Sequence, residues 1–143
     1  VVFLKKTAIK SAEKRKLLRK LLDAPVSNVR FSKNRVYLDY LGYRISDAVV
    51  VKREKHVAEW SRRRKQVFVD REILGRDRKK SFRALCVHEA VEKFLCEKFR
   101  LNVDKEAHVV ATRKEQEYLE KIGGNWRSHE LIVYWDWHSL GEK

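Results

Sequence analysis

The sequence has no methionine, one proline (Pro25) and two cysteines among its 143 residues. Cys86 and Cys96 are ten residues apart on one stretch of helical pattern, too far along a helix for a disulfide. That spacing predicts a reducing, intracellular and cytoplasmic setting. With no CxxC pair, the two thiols read as small buried residues rather than a soft zinc site. No apolar run approaches a membrane span, so no membrane partner is expected. Val1–Leu4, which runs straight into lysines, is too short for the apolar core of a signal peptide. P-loop, GxSxG and dinucleotide motifs are missing, as are internal repeats, low-complexity tracts and linkers. The lack of methionine beside abundant Lys, Arg, Glu and Val is a composition that suits a thermophile.

Acidic residues are the other shortage. The chain carries 34 Lys and Arg against 20 Asp and Glu, a net charge of +14. The excess is one-sided: residues 1–83 hold 25 basic and 9 acidic side chains, and residues 84–143 hold 9 and 11. A merely solubilising surface mixes its signs. Such an imbalance instead favours a polyanionic partner, RNA or another nucleic acid, free or in a ribonucleoprotein. The length and 43% hydrophobic content fit one domain over 1–143, a basic helix-plus-sheet part followed by a helix pair and an aromatic C-terminal strand.

Taken in order, Val1–Leu4 reads as a short strand. Ser11 then N-caps a helix whose edge is Leu17, Leu18, Leu21 and Leu22, and Pro25 ends it. Lys14, Arg15, Lys16, Arg19 and Lys20 cover its other face, as a phosphate-binding surface or a solvated one. Val29–Phe31 and Arg35–Tyr40 form a hairpin around Ser32-Lys33-Asn34, and Tyr43–Val51 is a further strand after Leu41-Gly42. In Lys52–Lys65, Trp60 stands directly before Ser61 and the cations Arg62, Arg63, Arg64 and Lys65. Base stacking with phosphate contacts uses that combination, and a core anchor uses the same tryptophan. Gln66–Asp70 is a central strand, and Arg71–Ser81 a loop with a second basic cluster, Arg76, Arg78, Lys79 and Lys80. Helices follow at Phe82–Phe99 and Val103–Ile122, stopped by Gly123-Gly124, and Leu131–Trp137 reads as a last strand. The predicted fold class is α+β, a small antiparallel sheet with the helices packed on one side. Trp126, Tyr134, Trp135 and Trp137 read as core closure, with a stacking platform as the alternative. His56, His129 and His138 have no partner pattern and read as surface or loop residues.

The chemistry concentrates on the helix pair. In the first helix Ser81, Leu85, His88, Glu92, Leu95 and Phe99 share an inward stripe, so a histidine and a glutamate one turn apart face the interior. Asp104, His108, Ala111, Glu115, Tyr118 and Ile122 make the matching stripe of the second helix. Folded antiparallel, the two would bring His108 and Glu115 against His88 and Glu92. Buried polar groups need partners, and two arrangements supply them, a His–Glu hydrogen-bond network or a metal ion. Residues i and i+4 stack on one face and can reach one ion together. A His, a Glu and a second His make three ligands with one open position. Glu89, about 100° round the helix, is where a carboxylate can deprotonate a water that a metal has acidified.

His88-Glu89-Ala90-Val91-Glu92 resembles a variant of the HExxH motif of zincin metallopeptidases, with Glu92 where the second histidine would stand. In zincins related to phage-repressor cleavage, the third ligand is a glutamate on a following helix; here that place falls to His108. The stretch Val67–Gly124 also resembles a family of small phage and prokaryotic proteins that carry a strand ending in Asp, then HExxE, then AHxxATxxE. The matching segments are Val67–Asp70, His88–Glu92 and Ala107–Glu115. The resemblance implies zinc as cofactor, His88, Glu92 and His108 as ligands, and Glu89 as general base. Asp70 or Glu115 would then be a fourth ligand or would orient a histidine. Three functions follow as expectations: a zinc-dependent, peptidase-like hydrolase with nucleic-acid association, a metal-dependent nuclease, and a non-catalytic RNA-binding or ribosome-associated protein.

Overall fold

The computed structural model describes residues 2–53, 56–61, 63–74 and 78–141, with residues 2–11, 74 and 141 in backbone only. The fold is α+β, as the pattern predicts. Four helices accompany one five-stranded sheet among the described residues. Helix α1 (Val2–Asp23) begins well before Ser11, so Ser11 lies within it and caps nothing, and Val2–Leu4 is helical rather than a strand. Leu21 of its apolar edge is completely buried. The helix ends before Pro25, where its last carbonyls are taken up by tertiary donors. The Tyr40 hydroxyl donates to Leu21 O, and the Lys114 ammonium donates to Leu22 O at 2.6 Å.

Strands β1 (Val26–Ser32), β2 (Arg35–Tyr40) and β3 (Tyr43–Lys52) form an antiparallel meander. Both hairpins turn on two residues of positive φ, Lys33-Asn34 at 50° and 62° and Leu41-Gly42 at 55° and 79°. That conformation matches the right-handed twist of the strands, and Asn and Gly adopt it most cheaply. The chain then passes to the far edge as β4 (Ala58–Trp60), turns, and inserts β5 (Gln66–Asp70) between β4 and β3. The sheet is therefore mostly antiparallel with one parallel pair, β3 with β5.

Val36, Leu38, Tyr40, Val67 and Val69 alternate along β2 and β5 and are buried, together with Ala84, Val87, Ala90, Val91 and Leu95 of α2 (Lys79–Phe99). Burying a helix on two sides, against sheet and neighbouring helix, needs apolar residues nearly all round, and this sequence supplies them. The expected loop before it is shorter than predicted, holding a 3-10 turn (Arg71–Leu74) and ending where α2 starts at Lys79. After Arg100, in the left-handed conformation at φ 53°, comes α3 (His108–Lys121). Val103–Ala107 leads into it as one wide turn, with Ala107 N bonded to Asn102 O and His108 N to Val103 O. Such i→i+5 turns shift the phase of the helix that follows.

The expectation of a last strand is overturned: Trp126–Gly141 is a helix, α4. Asn125 caps it, accepting from Ser128 N at 2.9 Å. Its buried residues His129, Asp136 and Leu140 keep helical spacing. No described helix is long and apolar enough to cross a membrane.

Candidate metal centre

Helix α2 presents His88 and Glu92 one turn apart, with His88 Nε2 3.0 Å from Glu92 Oε2. The wide turn before α3 delivers His108, whose Nδ1 lies 3.2 Å from the same carboxylate oxygen. His88 meets Glu115 further along α3, while Glu92 meets His108 at its start, so the two helices run antiparallel. One donor atom each from His88, Glu92 and His108 lies within 4.8 Å of the others, a group able to hold a metal ion. The imidazole rings of His88 and His108 meet edge to face, 4.8 Å between centroids. His88 and Glu92 are buried, whereas the His108 side chain is 57% exposed, which leaves the group open on one side.

Around these three lies a ring of orienting contacts. Glu115 Oε1 sits 2.7 Å from His88 Nδ1, a close ion pair out of line with the ring N–H. A carboxylate there favours the proton on Nδ1 and turns the Nε2 lone pair toward Glu92 and His108, as metal-bound histidines require. Glu115 is held in turn by His129 Nε2 from α4. Trp60 Nε1 donates to Glu92 Oε1 at 3.0 Å, which leaves Oε2 to face the two imidazoles. The donor chemistry, two imidazoles and one carboxylate, is that of a borderline divalent cation. Without an ion, the carboxylates supply the counter-charge for a proton. Burial opposes charge on His88, but the close carboxylates of Glu115 and Glu92, with Glu89, outweigh it and raise its pKa to about 10. Despite burial, Glu92 is held below the usual carboxylate range by His88, Trp60 and His108, and Glu115 by His129 and His88.

Glu89 differs from both. It is buried, its Oε2 is 3.7 Å from His88 Nε2, and among the described residues no hydrogen bond or facing lysine offsets its desolvation. Burial, with Glu92, Glu115 and Glu59 nearby, pushes its pKa up to about 8 against the pull of His88. A carboxylate poised near neutrality beside a metal group has the character of a general acid–base.

The remaining candidates are spread over the fold. Asp70 is not at the centre; it ends β5, with Oδ2 3.2 Å from Arg53. Trp60, half-buried at the end of β4, donates its indole N–H to Glu92. His129, expected at the surface, is buried on Glu115. His56 is exposed, in keeping with its reading. Lys14 is paired to Glu106 at 2.8 Å, while Arg15, Lys16, Arg19 and Lys20 line the exposed side of α1. Arg63, Arg64 and Lys65 are exposed in the β4–β5 turn, and Lys79 and Lys80 are exposed at the start of α2, with Arg78 half-buried before it. Arg62 and Arg76 lie outside the described residues. The signal for His129, the residue set aside in the sequence, is the helical stripe it shares with Asp136 and Leu140. Comparison with protein families, curated proteins and solved structures finds no match to this chain.

Proposed function

We propose that the protein is a metal-dependent hydrolase, with zinc held by His88, Glu92 and His108 and with Glu89 as general base. The observation that carries this reading is the convergence of those three donors from two helices beside the buried carboxylate of Glu89. When bound, the ion acidifies water and polarises the bond to be cut. The chain's own residues supply the rest. Glu115 and Trp60 orient His88 and Glu92. Glu89 takes one proton from the attacking water as its oxygen bonds the electrophilic carbon, and returns that proton to the leaving group as the old bond breaks. The resemblance to zincins supports the peptidase form of this chemistry, with Glu92 and His108 exchanged between the helices.

Metal content of the purified, zinc-supplemented protein tests the reading. About one equivalent is expected in wild type and in Glu89→Gln, and none in His88→Ala or His108→Ala. A wild-type protein that retains no metal overturns it.

A second property of the same protein is association with RNA or another nucleic acid, and the exposed cations of α1 and of the β4–β5 turn support it. Binding that weakens steeply with salt, and that fails when Lys16, Arg19, Lys20, Arg63 and Arg64 are neutralised, is the expected outcome. Salt-insensitive binding, or none, removes this part of the reading. Two cysteines ten residues apart on α2 suit an intracellular setting.

A further inference from the structure

Two cavities, of about 550 and 480 Å3, meet at the candidate centre, and both are lined by His56, Ala58, His88, Glu89 and His108. They differ in chemistry. The larger is walled by Val57, Leu85 and Val133 with Trp126, Tyr134 and Trp137 of α4, a volume and surface suited to a large apolar side chain. Its acidic lining residues beyond Glu89 are Glu115, which is already paired with His88 and His129, and Glu130. The smaller is acidic: Glu59 and Asp104 join Glu89 and Glu92 along it, with Trp60 and Val103. Neither cavity has a lysine or arginine among its described lining residues.

That last point matters in a chain of net charge +14. A phosphodiester at the centre would set its charge against Glu59, Glu89 and Asp104, with no lysine or arginine among the described lining residues to offset them. The basic face of α1 and the cleft are thus separate features with opposite preferences. A polypeptide has no such conflict. Its main chain is neutral, and successive side chains of an extended segment point to opposite sides, so neighbouring side chains can enter two cavities that share one centre.

We propose that the centre acts on a polypeptide with a large apolar side chain on one side of the cleaved bond and a cationic side chain on the other. This rests on the hydrolase reading above. The reaction consumes one water: its oxygen joins the carbonyl carbon, the C–N bond breaks, and the proton held by Glu89 passes to the departing amine.

The test uses the full chain as Glu89→Gln, which binds without turnover, and reads fluorescence anisotropy of labelled peptides containing Phe-Lys, Ala-Lys or Phe-Glu. The Phe-Lys peptide is expected to bind at least tenfold tighter than either of the others. Val133→Trp, which fills the apolar cavity, should abolish the advantage of Phe over Ala. Glu59→Lys with Asp104→Lys should reverse the preference for Lys over Glu. A single-stranded oligonucleotide should leave the peptide in place. Equal binding of the three peptides, preferences untouched by these substitutions, or displacement by the oligonucleotide overturns the inference. Metal content measured on the same samples separates the two readings. Zinc bound without peptide preference refutes the substrate assignment alone, and peptide preference without zinc refutes the hydrolase alone.

Discussion

His129 of α4 donates through Nε2 to Glu115 Oε2 of α3, and the other oxygen of that carboxylate lies 2.7 Å from His88 Nδ1. One buried glutamate thereby joins the last helix of the chain to a candidate metal ligand. Helix α4 otherwise meets the fold along a narrow front, with Leu131, Tyr134, Trp135 and Trp137 exposed. Its attachment and the geometry of His88 are therefore coupled through Glu115.

Replacing His129 by alanine leaves a buried carboxylate short of a donor, which costs about 2 kcal/mol. Urea unfolding should show that loss. Zinc affinity, read by chelator competition, should fall about tenfold, the usual effect of losing an orienting partner. His129→Gln keeps an N–H donor and should recover most of both. Unchanged zinc affinity in His129→Ala would show that α4 does not reach the centre energetically.

Trp60→Phe removes the indole N–H from Glu92 while keeping an aromatic ring in place. The carboxylate is then free to turn, and zinc affinity should drop by about tenfold, with stability lowered by only about 1 kcal/mol. A tryptophan acting as an RNA-stacking surface predicts the reverse, with nucleic-acid binding lost and zinc affinity intact.

Asp136 supplies a pH dependence. It is a buried residue of α4 that faces Asp70 at the end of β5, with Arg53 as the shared cation. Asp70 Oδ1 and Asp136 Oδ2 have no donor, so one carboxyl proton between the pair completes the bonding. Burial and the facing carboxylates raise the Asp136 pKa from 3.8 to about 7. A carboxyl whose folded pKa exceeds its unfolded value binds its proton more tightly in the folded state. Its stabilising effect is whole below the unfolded pKa and is lost as pH rises through 7. Urea midpoints of wild type should therefore fall between pH 5 and 8 relative to Asp136→Asn, which needs no proton. Parallel profiles for the two would refute the shared proton.

Gly124 follows α3 in close approach to the helix it ends. A Cβ there would lie 2.5 Å from Leu119 Cδ1 and 3.0 Å from Leu119 O. Leu119 is itself buried, so it has little room to give. Gly124→Ala should destabilise by about 1–3 kcal/mol, measured by thermal or urea unfolding. Gly42→Ala, where the added Cβ meets nothing, carries only the strain of its positive φ.

Part of this molecule is legible in its residues alone. The 3.6-residue period places His88 and Glu92 on one face of α2, and the same period aligns His108 and Glu115 on α3. Asn34 and Gly42 mark the two hairpins through the positive φ their turns need. These are local relationships, decided by backbone geometry within a few residues.

The run Leu131–Trp137 shows where local pattern misleads. Its Ile, Val, Tyr and Trp residues suit a strand as well as a helix, and residue preference alone favours the strand. The helix is decided by the Asn125 cap and by burial of His129, Asp136 and Leu140 against elements formed elsewhere in the chain. Trp60 and Glu92 are 32 residues apart, and they meet because β4 crosses to the sheet edge before β5 inserts. The π-type turn that delivers His108 is equally a product of packing. Composition determined the net charge, but a count of charges carries no position. Only the packed structure decided that the described lining of the cleft holds carboxylates and histidines without lysine or arginine, because the groups that share a cavity come from segments that only long-range contacts bring together.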